Sequence, residues 1–193
     1  MLAKRHHLIT AAAATLALGL VGTAANAAEI FSLTSATFKD STMMPKNAAN
    51  STANAPTNPN CVGENVSPAL NWSNPPAGTK SFAIFMFDPE GRPPGGVSHW
   101  VAYGIPASVT GFAEGEVSKP SDKYVGGTSL MKLPNYFGPC TPPGPIHHYT
   151  LTLMATDLDP KALAAGLDRA EAMKALDGHV LQATGLIGTF SKP

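Results

Sequence analysis

The sequence predicts a mainly β domain with short helices near its C-terminus. Three features point that way: the apolar run Ser81–Phe87, the alternating run His147–Asp157, and Gly- and Pro-dense segments between short apolar stretches (18 Gly and 18 Pro in 193 residues). An unbroken apolar run bounded by turn residues suits a strand buried on both faces. Strict alternation suits a strand with two unlike faces, and frequent breakers leave little room for long helices.

The elements follow in order. From Phe31 to Phe38, Phe31, Leu33 and Ser35 alternate with Ser32, Thr34 and Ala36, which predicts an opening strand. Residues 45 to 68 are rich in Pro, Asn, Ala and Ser without periodicity, and predict a long surface loop. Leu70-Asn71-Trp72 makes a short strand, and Pro75 to Thr79 a turn. Ser81–Phe87 stops at Asp88-Pro89 because proline cannot continue a ladder. After a Gly/Pro loop at 91 to 96, Ser98 to Ile105 resumes a strand that Pro106 ends, with His99, Val101 and Tyr103 on one face and Trp100 on the other. Pro134 to Pro145 is irregular but ordered. In His147–Asp157, His147, Tyr149, Leu151, Leu153 and Ala155 share a face that His148, Thr150, Thr152, Met154 and Thr156 do not. Residues 168 to 183 place Ala172, Leu176, Val180 and Ala183 at helical steps, with Gly178 as a kink, and Gly185–Phe190 predicts a last short strand.

Ahead of these elements stand Lys4-Arg5, an apolar, alanine-rich run from Leu8 to Thr23, and Ala25-Asn26-Ala27. This is the grammar of a secretory signal peptide cleaved after Ala27. A membrane anchor is the alternative, but the strongly apolar part falls short of the ~20 residues that span a bilayer, so no stable span is expected after cleavage. The expected products are a signal peptide over residues 1–27 and one domain over 28–193, in the periplasm or secreted. Of 13 basic and 13 acidic residues, Lys4 and Arg5 leave with the signal, so the domain carries a net charge near −2. That balance gives no footing for a nucleic-acid partner. Export to an oxidising compartment predicts that the two cysteines, Cys61 and Cys140, form a disulfide; two free buried thiols are the alternative.

Asp88 ends a buried strand, His99 lies near the start of the next, and His147 heads a third. Strand ends are where sites are assembled. Singly, each has a plain structural explanation: Asp88 caps a turn, and a strand histidine is a hydrogen-bonded wall residue. Together with Tyr149 and loop amides they make a pocket suited to a phosphate, an acetate or a phospholipid head group. Adjacent residues face opposite ways, so His147 enters that pocket and His148 does not. A metal held by Asp88, His99 and His147 lacks the usual paired-ligand spacing, and neither a metal nor a cofactor is expected.

The chain resembles the phosphatidylethanolamine-binding protein family, in its bacterial Raf kinase inhibitor-like branch. The residues that carry the likeness are Cys61-x-Gly63-x-Asn65-x-Ser67-Pro68-x-Leu70-x-Trp72, Asp88-Pro89, His99-Trp100-Val101 through Ile105-Pro106, Tyr136-x-Gly138-Pro139-Cys140, and Pro142-Pro143-x-Pro145-x-His147-His148-Tyr149, with Gly178-His179-Val180-Leu181 and Gly188-Thr189-Phe190 in the tail. The resemblance implies a β-sandwich-like fold with a small anion-binding pocket at one end, formed by Asp88, Pro89, His99, Gly138, Pro139, His147 and Tyr149. This chain departs from the family pattern at His148, Gly104 and Thr141, where relatives often carry arginine, asparagine and an uninterrupted Cys-Pro-Pro.

The expected function is an exported binding module that takes a small anion or phospholipid head group and acts as an inhibitor or signalling modulator of a protein partner such as a protease. A hydrolytic enzyme using the Asp/His/His pocket for acid–base chemistry is the alternative. No Gly-x-Ser-x-Gly elbow or other nucleophile motif supports it, so no residue is assigned a catalytic role.

Overall fold

The structure, a computed structural model, describes residues 29–192; the signal peptide expected over residues 1–27 and its expected cleavage after Ala27 lie outside the described residues. The chain forms two sheets. β4 (Ser81–Asp88) is central to the larger one, with β5 (Val97–Pro106) antiparallel on one side and β8 (His147–Thr156) antiparallel on the other. β9 (Val180–Phe190) runs antiparallel along β8, while β2 (Thr42–Met43) and β7 (Val125–Gly126) close the two edges. The smaller sheet holds β1 (Ser32–Thr34), β3 (Leu70–Ser73) and β6 (Gly111–Phe112).

The apolar run of β4 is explained by what lies on each side of it. Phe82, Ile84 and Met86 enter a core with Trp72, Trp100, Phe112, Leu151 and Leu153. Ala83 and Phe85 face the opposite way, against Val101, Tyr103, Met154 and the inner side of α1 (Arg169–Leu176), which contributes Ala172 and Leu176. Each fully buried large apolar side chain contributes about 1.5–3 kcal/mol, so both faces of this strand hold the fold together. Among the described residues no helix is long and apolar enough to cross a membrane.

Four expectations need correction. The opening strand covers only Ser32–Thr34, because Ser35 Oγ donates to the Ala69 carbonyl (2.6 Å) and accepts from Thr37 N–H (3.0 Å), turning the backbone out of the ladder. The helix expected over 168–183 ends at Leu176. Asp168 and Glu171 form a capping box at its start. At the other end Gly178 adopts φ +78°, and Val180 begins an eleven-residue strand. Val180 and Ala183 thus belong to β9, where pairing with β8 overrides a helical spacing. Among the described residues one short α-helix lies near the C-terminus.

Residues 45 to 68 are a surface loop only in part: Thr52, Ala53, Asn54, Pro56 and Thr57 are exposed, whereas the flanking stretches are held against the fold, with a short 3-10 helix over Lys46–Ala48. Ala48, Ala49, Asn50, Cys61, Asn65 and Ser67 are buried. Polar side chains stand in for strand pairing here. Tyr136 Oη donates to the Ala48 carbonyl (2.8 Å), and the Asn65 side chain accepts from Gly138 N–H (2.8 Å) and donates to the Tyr136 carbonyl (3.2 Å). Cys61 and Cys140 are disulfide-bonded, and tie this segment to the Pro134–Pro145 loop. Finally, Pro106 is the last residue of β5 and not its stop, since it pairs with Ser81 at the strand end.

Candidate functional site

The ends of β4, β5 and β8 meet at a cleft of about 600 Å3. Asp88 and His147 come together as buried partners, with His147 Nδ1–H donating to Asp88 Oδ2 over 2.8 Å. The other carboxylate oxygen, Oδ1, accepts the backbone N–H groups of Glu90 and Gly91, each at 2.9 Å. One side chain therefore folds the loop after β4 and fixes an imidazole.

His99 reaches the same cleft through a device that alternation alone does not disclose. Met86 pairs with Trp100 and Phe87 with Ser98, leaving His99 as an extra residue in a β-bulge. The bulge re-aims it. The expected phase, His99 with Val101 and Tyr103, is wrong: those two pack in the outer cluster under α1, whereas the His99 ring lies 5.0 Å from the Tyr149 ring and 5.8 Å from that of Phe137. His99 Nδ1–H donates to the Phe137 carbonyl at 2.8 Å, so that ring too is oriented by its inner nitrogen. Asp88, His99, His147 and Tyr149 are 3%, 3%, 9% and 1% exposed and all line the cleft. His147 and Tyr149 share the face alternation assigned to them.

Pro89, Gly138 and Pro139 do not line it. Gly138 is needed behind the wall, where a Cβ would fall 2.1 Å from the Ala48 carbonyl oxygen, and the Pro139 carbonyl accepts the Asn50 N–H (2.8 Å). Sequence reasoning missed several wall residues: Glu90, Arg92, Leu130, Met131 and the 54–58 segment. Only Glu90 left a trace, two positions after Asp88. His148 is exposed, as its phase requires, yet its ring and backbone N–H both reach Glu90 (2.9 and 3.1 Å). Partial burial works against the Glu90 carboxylate, but these two bonds outweigh it and hold the group below its ordinary value. Thr141 also lines the cleft and shares a 2.7 Å hydrogen bond with the Tyr149 hydroxyl, which burial keeps protonated.

Burial pushes the His99 imidazole below its ordinary value of 6.5, against the Phe137 carbonyl and the Asp88 charge, which favour the proton. The folded state therefore prefers the neutral ring. Its contribution to stability is fully present above about pH 6.5 and is lost as the pH falls toward the depressed value, because the unfolded chain then binds the extra proton. Urea denaturation between about pH 8 and pH 5 is expected to show stability declining below about 6.5, with a shallower decline in His99→Gln. Identical slopes would show that His99 is not the responsible group.

The geometry converges with comparison to known proteins. A family model described as phosphatidylethanolamine-binding protein matches residues 34–191. The chain belongs to the phosphatidylethanolamine-binding protein family. Its relatives in this family include a UPF0098 protein of Methanothermobacter thermautotrophicus, 35% identical over 149 residues that cover 75% of this chain and 95% of the relative. YbhB of Escherichia coli is 32% identical over 133 residues, covering 67% and 84%. The crystal structure of Escherichia coli YbcL superposes with a TM-score of 0.74 at 25% identity, over 83% of this chain and 98% of that one. A Mycobacterium tuberculosis relative, LppC, 36% identical over 67% of this chain and 62% of its own, is named as a candidate lipoprotein.

Within the family fold, Gly104 has a clear local reason. It sits at φ +63° beside a second irregularity of β5, and a Cβ there would fall 2.2 Å from the Pro160 carbonyl oxygen.

Proposed function

We propose that this family member is an exported binding module whose cleft captures a small oxyanion, free phosphate or the phosphate of a phospholipid head group, and that it modulates an envelope or extracellular protein partner. The observation that supports this best is the buried Asp88–His147 pair at the strand ends, with His99 beside it. Both imidazoles spend Nδ1–H on protein acceptors, which leaves each Nε2 as the free nitrogen. A neutral imidazole in that tautomer offers the cleft a lone pair and not a donor. The two imidazoles can then hold an oxyanion only if a proton comes with it, on an imidazole or on the ligand itself. Arg92 adds a cation to the lining, and Glu90 a carboxylate able to meet an ammonium group.

Binding is favoured over catalysis by the state of the nearby nucleophiles. Cys140 is in a disulfide and the Thr141 hydroxyl is engaged with Tyr149, so neither is poised next to a histidine. The arrangement of Asp88 and His147 is otherwise that of an oriented general base. Assays with phosphoester and carboxylester substrates, beside an Asp88→Ala/His99→Ala double variant, test this. Turnover that is lost in the variant would overturn the binding role.

Calorimetry with inorganic phosphate, and with vesicles containing phosphatidylethanolamine, tests the ligand and separates its two sources. His147→Ala is expected to weaken phosphate binding about five- to a hundredfold, the cost of one hydrogen bond to a buried anion. His148→Ala should change it far less, since that ring acts only through Glu90 at the mouth. Equal losses at the two positions would refute the assignment of His147 to the cleft floor. Repeating the titration in buffers of different ionisation enthalpy should show net proton uptake.

A further inference from the structure

We propose that the chain carries a second oxyanion site, on the outer face of the large sheet, built from Arg169, Lys132, Ser98 and Ser129. A separate cleft of about 400 Å3 lies there, between the end of β4, the start of β5, the 128–132 turn and the first turn of α1. Ser98 is the residue next to the bulged His99 and faces the opposite side of β5, so the donors of the two clefts lie on opposite sides of that strand, and the clefts adjoin only at Leu130, which lines both.

Phe87 forms the floor, and the Arg169 guanidinium lies over its ring with Cζ 4.4 Å from the centroid. Stacking immobilises a guanidinium by its flat face and leaves its in-plane N–H fork for a ligand. That fork is unclaimed. Among the described residues Arg169 is in no ion pair, and its buried Nε–H has no acceptor. The buried Ser98 hydroxyl also lacks a partner. Ser129 is 4% exposed, and its Oγ accepts only Leu133 N–H, so its own proton is uncommitted. Lys132, held at φ +57° in the turn, contributes a second cation with no ion pair. The carboxylates nearby are already engaged: Asp168 Oδ1 accepts Glu171 N–H and Glu171 Oε2 accepts Asp168 N–H, each at 2.9 Å, in the capping box of α1.

A planar fork, a point charge and two free hydroxyl donors around one hollow suit an oxyanion, carboxylate or phosphate, bound edge-on to arginine. Asp168 is the only acidic residue lining the hollow, so cations outnumber anions there. The proposal does not rest on the function assigned to the first cleft, and the two are separable by variants.

The test is a titration of the mature chain by amide and arginine Nε–H nuclear magnetic resonance. Inorganic phosphate and acetate serve as the two probes, with chloride at matched ionic strength as the control. Saturable shifts are expected at Gly96, Thr128, Ser129, Lys132 and Arg169, which line only this cleft, both in the unmodified chain and in His147→Ala. The probe that saturates at the lower concentration identifies the ligand class. Arg169→Met should weaken this binding at least about tenfold, the cost of losing charge-assisted hydrogen bonds, and leave shifts around His147 unchanged. If Arg169→Met does not fold, Ser98→Ala with Lys132→Gln makes the same test on the other donors. Shifts that fail to saturate, that chloride reproduces, or that survive removal of these donors would overturn the site. Loss of shifts near His147 alone would bear only on the first cleft.

Discussion

Replacing Cys61 and Cys140 together by alanine is expected to lower the unfolding free energy by about 4 kcal/mol, which corresponds to a fall of roughly 10 °C in Tm. The bond joins residues 79 apart in sequence, and closing a loop of that length removes much of the conformational freedom of the unfolded chain. It also joins two irregular segments. Neither has a strand ladder to hold it, and together they supply Ala55, Thr57, Phe137 and Thr141 to the wall of the cleft. Loss of the bond should therefore weaken phosphate binding as well, through lost preorganisation and not lost contacts. Urea denaturation of the oxidised protein, the reduced protein and the double variant measures the first effect, and calorimetry the second. Unfolded, unreduced protein that yields two reactive thiols would remove the basis of both.

The parts of this architecture that could be read from sequence are those governed by a short period. The two-sided burial of Ser81–Phe87 and the faces of His147–Thr156 follow from alternation and from where proline forbids continuation. Features that depend on partners distant in the chain escaped. His99 shifts face because one extra residue is accommodated opposite Met86 and Phe87, and nothing in Ser98-His99-Trp100 marks a bulge. The helix was expected to run through Gly178 because Val180 and Ala183 keep a helical spacing, although a neighbouring strand claims both. Residues 45 to 68 have a loop composition, and only Tyr136, Asn65 and the disulfide reveal that Ala48–Asn50, Cys61 and Asn65 are buried.

The site was legible in the same uneven way. Asp88, His99 and His147 stood out by their places at strand ends and Tyr149 by sharing a face with His147, although the phase assigned to His99 was wrong. Glu90 and Arg92 were missed because their places depend on how the loop after Asp88 folds. Pro89, Gly138 and Pro139 accompany the site in sequence without lining it.

Asp88→Ala should be the most damaging single change to the cleft. It removes the acceptor of three hydrogen bonds, from Glu90 N–H, Gly91 N–H and His147 Nδ1–H. Hydrogen bonds to a charged group contribute about 1.5–3 kcal/mol each, and their partners here are left partly buried, so a net loss of about 3 kcal/mol in stability is expected. Phosphate affinity should fall on the order of a hundredfold as the His147 ring loses its anchor. Asp88→Asn separates the two roles. Its side-chain oxygen can keep the Glu90 and Gly91 N–H groups, which turns its amide N–H toward His147. The ring must then accept at Nδ1 and carry its proton on Nε2, so a neutral imidazole presents a donor to the cleft. Asp88→Asn should accordingly retain phosphate binding within about tenfold while losing the linked proton uptake. Paired calorimetry in two buffers reads both quantities at once. Unchanged proton uptake in Asp88→Asn, or wild-type affinity in Asp88→Ala, would show that the Asp88–His147 pair does not set the chemistry of the pocket.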